Sequence, residues 1–65
     1  MYALFAGKVY YPGGGMNDYR GTFPTKEDAM TRARQGEVYG EFTFHWEWYH
    51  IVYLPTMEIV ERGML

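Results

Sequence analysis

The chain has 65 residues and no cysteine, so we expect one small domain, residues 1–65, with neither disulfides nor a thiolate zinc site. Its formal net charge is −2 and its six basic residues are scattered, which disfavours nucleic-acid binding through a basic patch. No segment approaches the roughly 20 apolar residues that span a membrane, and the first residues lack a basic leader, so we expect a soluble intracellular protein.

Two strands are predicted in the first third of the chain. Residues 2–11 are rich in aromatic and branched side chains, as strands are. The run of Pro12 and the following three glycines stops this strand, because proline has no amide donor and consecutive glycines favour loops. The loop continues to residue 18, and residues 19–23 form a short second strand that returns beside the first.

A helix is predicted from Lys26 to about Gln35. The side chain of Thr25 can cap its first turn, and Glu27 and Asp28 favour the positive end of the helix dipole. Gly36 supplies the stop. The apolar stripe of this helix consists of small or flexible residues that allow close approach to a sheet: Ala29, Met30 and Ala33.

Residues 36–40 are interpreted as a connector, and residues 41–54 as a long strand with a bulge or break near His45. Strict alternation gives this strand two faces. We expect the more apolar face to pack on the helix: Phe42, Phe44, Trp46, Trp48, His50, Val52 and Leu54. The other face comprises Thr43, His45, Glu47, Tyr49, Ile51 and Tyr53. A turn at Pro55 and Thr56 leads to a last strand, residues 57–61.

The predicted fold is therefore α+β, with the order ββαββ: a small antiparallel sheet of three to four strands with one helix packed on one face. The other sheet face stays uncovered. Thirteen aromatic rings (four Phe, seven Tyr, two Trp) are too many for so small a core, so some of them should meet a partner. We predict a protein-binding surface formed by Trp46, Tyr49, Tyr53 and Arg20, because aromatic residues and arginine dominate interfaces.

Catalytic and metal-binding motifs are not evident. The chain has no cysteine and no serine, and its threonines have no recognisable base partner, so we expect no enzymatic activity and no catalytic residue. His45 and His50 are five residues apart and would point to opposite faces of a strand, unlike the histidines of a zinc-protease helix. We therefore predict no metal site and no cofactor.

A ligand site is the alternative to a protein-binding surface. The loop glycines Gly13, Gly14 and Gly15 could present their amides to a phosphate, although the residues that follow match neither a P-loop nor a dinucleotide fingerprint. The rings of Tyr10 and Tyr11 could stack on a base, with Arg20 as the clamping cation. This pattern indicates a nucleotide-like small molecule held at a dimer seam.

A spaced pattern of aromatic residues and glycines covers most of the chain. It consists of residues 1–7, Tyr10-Tyr11-Pro12 with Gly14-Gly15, Gly21, Phe23, Thr25, Ala29, Trp48, Ile51-Val52 and Ile59-Val60. This pattern resembles a group of small bacteriophage and prophage proteins, although residues 55–58 stand where those proteins have a glycine-bearing turn. The resemblance implies a phage accessory protein, with no activity or functional residue to transfer, and we expect such a protein to be located in the host cytoplasm.

Three functional hypotheses follow. The first is a phage-encoded factor that binds and inhibits or modulates a host protein, such as a defence or transcription component. The alternative is a homo-oligomeric binder of a nucleotide signal, and the third is a structural component of the virion. We expect a homodimer by default, with a densely aromatic monomer as the alternative, because a domain of this size buries only about 60% of the surface that its unfolded chain exposes and often needs association for stability.

Overall fold

The computed structural model describes residues 1–8 and 18–65, apart from the Tyr39 side chain. Its elements are β1 (Tyr2–Gly7), β2 (Tyr19–Phe23), α1 (Lys26–Gln35), β3 (Glu37–Tyr39), β4 (Phe42–Phe44), β5 (Trp48–Tyr53) and β6 (Glu58–Met64). Four strands form an antiparallel sheet in the order β2-β1-β5-β6, and β3 and β4 form a separate hairpin. The helix lies against one face of the larger sheet, which confirms the α+β class.

The predicted helix is confirmed at both ends. The hydroxyl of Thr25 accepts a hydrogen bond from the amide of Asp28 at 3.1 Å, as an N-cap does. Gly36 ends the helix with φ 75° and ψ −168°, a conformation that is essentially confined to glycine. The local sequence signals were therefore sufficient to define this element.

The core lies between the helix and the central strands. Ala29 and Ala33 bring the helix backbone close to the sheet. The large buried residues opposite them are Leu4 of β1 and Ile51 of β5, which pair directly across the two strands. The rest of the cluster consists of Ala6, Trp46 and Tyr49, with Tyr2, Phe23 and Met30 packed around it.

The predicted strand at residues 41–54 consists of two strands, β4 and β5, and the break lies at residues 45–47, where the sequence indicated a bulge or break near His45. The amide of Glu47 in this segment donates to the carbonyl of Gly7 at 2.8 Å. The predicted connector at residues 36–40 contains β3, which pairs with β4. The hairpin turns through Gly40 and Glu41, with Gly40 at φ 60°, as glycine allows at the first turn position.

The irregular segment also reverses the two faces of β5. Tyr49 and Ile51, predicted to lie on the uncovered face, are 8% and 0% exposed and belong to the core beneath the helix. Trp48, His50 and Val52 therefore lie on the face away from the helix. The predicted faces assume unbroken alternation from Phe42 to Leu54, and the break at residues 45–47, close to the one indicated near His45, shifts the phase by one residue.

Strand β6 is longer than predicted, reaching Met64, and its pairing with β5 is irregular. The register shifts between Ile51 and Val52, so that Val52 pairs with Ile59 and Ile51 pairs with Glu61. Val60 is the extra residue of this bulge. The preceding turn contains Met57 at φ 58°, a left-handed conformation that is uncommon for a residue with a side chain.

Candidate protein-binding surface

The sheet face away from the helix, called the open face below, carries a row of side chains that crosses all four strands. Tyr19 of β2 pairs with Phe5 of β1, Phe5 pairs with His50 of β5, and His50 pairs with Arg62 of β6. Paired residues on neighbouring strands place their side chains on the same face. The row therefore consists of three rings and one guanidinium group.

Ring contacts hold this row and the adjacent Trp48 in place. The ring centroids of Phe5 and Tyr19 are 5.8 Å apart in an edge-to-face arrangement, and those of Trp48 and His50 are 5.2 Å apart. The indole nitrogen of Trp48 donates to the carbonyl of Lys8 at 3.3 Å. Val52 and Ile59 form the apolar neighbours of the row, so the open face is largely apolar and partly ordered by its own contacts.

Among the described strand residues of the open face, Arg62 carries the charge. It is exposed and, within residues 1–8 and 18–65, takes part in neither of the two ion pairs, which are Lys26–Glu61 and Arg32–Glu37. The acid of β6 that forms an ion pair, Glu61, is on the helix side, with an oxygen 3.6 Å from the Lys26 nitrogen. The buried carboxylate of Asp18, just before β2, lies beside Gly7 at the Trp48 end of the open face. The described strand residues of this face thus combine aromatic rings with one exposed guanidinium.

The residues predicted for partner binding do not come together on this surface. Trp46 is 5% exposed, with the guanidinium carbons of Arg20 and Arg32 lying 5.1 and 4.8 Å from its ring centroid. Tyr49 is buried in the core. Tyr53 is half-buried on the helix side, where its ring lies 5.2 Å from that of Tyr2.

Arg20 has a structural position. Its Nε donates to the carbonyl oxygen of Ala6 at 2.8 Å, and its guanidinium lies over the buried ring of Trp46. These contacts fix the side chain between β1 and the core. The other residues of the predicted ligand site, Tyr10, Tyr11, Gly13, Gly14 and Gly15, lie outside the described residues.

The sequence analysis missed Phe5, Tyr19, His50 and Arg62 as a group. A signal was present, because Leu4 and Ala6 alternate with Phe5, and the smaller aliphatic residues suit close packing under a helix. β1 lies between β2 and β5, and this order brings the four residues into one row. The pairing of β1 with β5 joins segments more than 40 residues apart in the sequence. No local pattern encodes it.

Two further features lie outside the open face. The β3–β4 hairpin exposes Phe42 and Phe44, whose exposed fractions are 74% and 55%. A groove of about 540 Å³ runs between the helix and the end of β6. Its apolar lining consists of Met30, Ala33, Trp46, Tyr49, Met64 and Leu65, and its polar lining consists of Arg34 and His45.

Within residues 1–8 and 18–65, no three His, Asp or Glu side chains are grouped closely enough to hold a metal ion. In the same part of the chain, no helix has the length and apolar character needed to cross a bilayer.

These features define a small α+β protein in which one helix covers one face of a four-stranded antiparallel sheet, and no other helix or strand within residues 1–8 and 18–65 packs on the opposite, aromatic face. The chain belongs to the family described as bacteriophage T4 protein Y07C, whose model matches residues 2–63. This match confirms the resemblance to small phage proteins. Neither the curated proteins nor the solved structures gave a significant match.

Proposed function

We propose that this phage protein binds an acidic surface of a host protein through its open face and thereby inhibits or modulates that protein in the host cytoplasm. The observation that carries the proposal is the row of Tyr19, Phe5, His50 and Arg62 across the sheet. Tyrosine, tryptophan and arginine are the residues that most often dominate binding energy in protein interfaces.

The size of the open face suits the centre of an interface. Four strands about 4.8 Å apart span roughly 15 Å, and strands of five to seven residues are about 17–23 Å long. The resulting area of about 300 Å² matches a typical functional apolar patch, whereas a complete interface buries about 800 Å² on each partner. The open face would thus form the apolar centre, with surrounding polar residues as the rim.

The charge of the open face selects the kind of partner. Arg62 and His50 favour carboxylates, and the aromatic rings beside them favour an apolar contact in the same patch. Nucleic acid would also supply negative charge, but the protein as a whole is acidic and its bases are scattered. An acidic protein surface with an apolar centre is therefore the partner that the open face fits best.

The test begins with identification of the partner and ends with variants of the open face. Tagged protein is purified gently from infected host cells and its complexes are examined by native mass spectrometry. Affinity for the identified protein is then measured by titration for wild type, Arg62→Glu and Tyr19→Ser. The matched control is Arg34→Glu. Like Arg62, Arg34 is exposed and outside both ion pairs found in the described residues, but it lines the groove between the helix and the end of β6 and is not on the open face.

We expect Arg62→Glu and Tyr19→Ser each to weaken binding at least tenfold, which corresponds to about 1.4 kcal/mol, while Arg34→Glu binds like wild type. Circular dichroism should show that all three variants are folded. The proposal is wrong if the identified protein binds the open-face variants as tightly as wild type. It is also wrong if the purified species carries a nucleic acid or a nucleotide-sized ligand and no host protein.

A further inference from the structure

The β3–β4 hairpin, called the arm below, exposes more apolar surface than a free hairpin should. Phe42 and Phe44 are two residues apart on one strand, so their rings lie on the same face of the arm, and Val38 is also exposed. An isolated two-stranded hairpin is marginally stable in water. A hairpin with two exposed phenylalanines is therefore suited to packing against another apolar surface.

The base of the arm is fixed to the helix. The Arg32 side chain donates hydrogen bonds to the carbonyl of Gly36 and to the carboxylate of Glu37, the latter at 3.4 Å. The end of β4 passes so close to Gly36 that a Cβ atom there would overlap the carbonyl oxygen of Phe44. These contacts hold the arm in a defined direction, and binding through it requires little additional ordering.

The groove between the helix and the end of β6 offers a complementary surface. Its apolar lining can accept rings, and Arg34 and His45 supply donors at its polar side. Its volume of about 540 Å³ is within the range of cavities that hold apolar ligands. The arm of the same chain does not fill it, because Phe42 remains 74% exposed.

The charges of the arm and the groove are also complementary. Glu41 is exposed in the turn at the tip of the arm, next to Phe42. Arg34 is exposed at the groove, and neither residue takes part in the two ion pairs found among the described residues. An apolar segment that ends in a carboxylate thus matches an apolar groove that is lined by a guanidinium.

We propose that two copies of the chain exchange arms, so that Phe42 and Phe44 of each copy occupy the groove of the other and Glu41 lies beside the partner's Arg34. Such an arrangement is isologous, and the two-fold axis closes it at a dimer. The inference concerns a different surface from the proposed host-binding site and does not depend on it.

The exchange buries the exposed parts of two phenylalanine rings from each copy. A phenylalanine ring buries about 150–250 Å² when fully covered, and the exposed fractions here leave roughly 100–180 Å² on each ring. The four rings therefore contribute on the order of 500 Å², and the groove surfaces add less than this. Such an interface is at the small end for protein association, so the dimer should be weak and depend on protein concentration.

The test is sedimentation velocity on the purified chain over a series of concentrations, for wild type and five variants. Phe42→Ser removes a ring from an exposed position, and Arg34→Glu and Glu41→Arg each place like charges together at the contact. The double variant R34E/E41R restores opposite charges with their positions reversed. Arg62→Glu is the matched control, because it reverses an exposed arginine on the open face.

We expect wild type and Arg62→Glu to dimerise with equal dissociation constants. Phe42→Ser, Arg34→Glu and Glu41→Arg should each raise the constant at least tenfold, and the double variant should return to within about threefold of wild type. A wild-type protein that stays monomeric at the highest concentration overturns the inference. So does a dimer that the three single variants leave unchanged, or a double variant that is as weak as its parents. Loss of host binding with an intact dimer would instead contradict the proposed function alone.

Discussion

Replacement of Gly36 by alanine tests the joint between the helix and the arm. Gly36 has φ 75° and ψ −168°, and a Cβ atom there would overlap the backbone oxygen of Phe44 and lie 3.2 Å from the Cα of His45. The backbone conformation alone costs a residue with a side chain about 1–3 kcal/mol. The overlap adds to this cost, because a backbone oxygen moves only if the arm moves.

The matched control is Gly40→Ala in the turn of the arm. Gly40 also has a positive φ, 60°, but a Cβ atom there has no neighbour within 4 Å. The left-handed conformation costs alanine about 1 kcal/mol. We therefore expect Gly36→Ala to lose at least 3 kcal/mol of unfolding free energy, about 2 kcal/mol or more beyond the control.

Thermal unfolding followed by circular dichroism measures the difference. For a domain of this size each kcal/mol lowers the midpoint by about 4–8 °C, so the control should unfold about 4–8 °C below wild type and Gly36→Ala at least 12 °C below it. Hydrogen exchange should also show faster exchange at residues 37–44 in Gly36→Ala. Equal midpoints for the two variants would refute the close approach between Gly36 and the end of β4.

Three other substitutions test the remaining contacts. Trp46→Ala should lower the free energy of unfolding by about 3–5 kcal/mol, far more than Trp46→Phe, because it empties the space between two guanidiniums. An alanine variant that unfolds at nearly the same urea concentration as wild type would contradict the buried position. Met57→Gly should raise the thermal midpoint by about 2–6 °C, because it relieves a φ of 58° at an exposed position, and a lower midpoint would disprove this strain. Glu61→Gln should change the free energy of unfolding by less than about 1 kcal/mol, because the ion pair of Glu61 with Lys26 is solvent-exposed. A larger decrease in this free energy, measured by denaturant titration, would show that the ion pair contributes more than an exposed pair should.

The sequence was sufficient for those parts of the fold that depend on neighbouring residues. Thr25, the acidic first turn and Gly36 define the helix by contacts within a few residues, and their positions were predicted correctly. The aromatic and branched residues of β1 and β5 indicated strands for a similar reason. The class α+β followed from the order of these elements.

The candidate surface could not be predicted from the sequence, because it depends on which alternate residues of β5 face the helix. Trp46, inside the irregular segment 45–47, lies in the core, whereas Trp48, the first residue of β5, lies on the open face. Alternation carries no information about a break whose geometry is set by distant partners, such as the Gly7 carbonyl that accepts from Glu47. One such shift moved Tyr49 from the predicted surface to the core and brought His50 to the open face.

The central position of β1 has a consequence for synthesis of the protein on the ribosome. β1 is made before every other element of the sheet, yet its longest pairing is with β5, Trp48–Tyr53. At about 5–20 residues per second, roughly 2–9 seconds pass between completion of the two strands. The apolar segment around Leu4 must stay unpaired on that side during this interval. The sheet therefore closes late, and a nascent chain that stops before residue 48 lacks Tyr49 and Ile51, so its core is incomplete and more open to proteases.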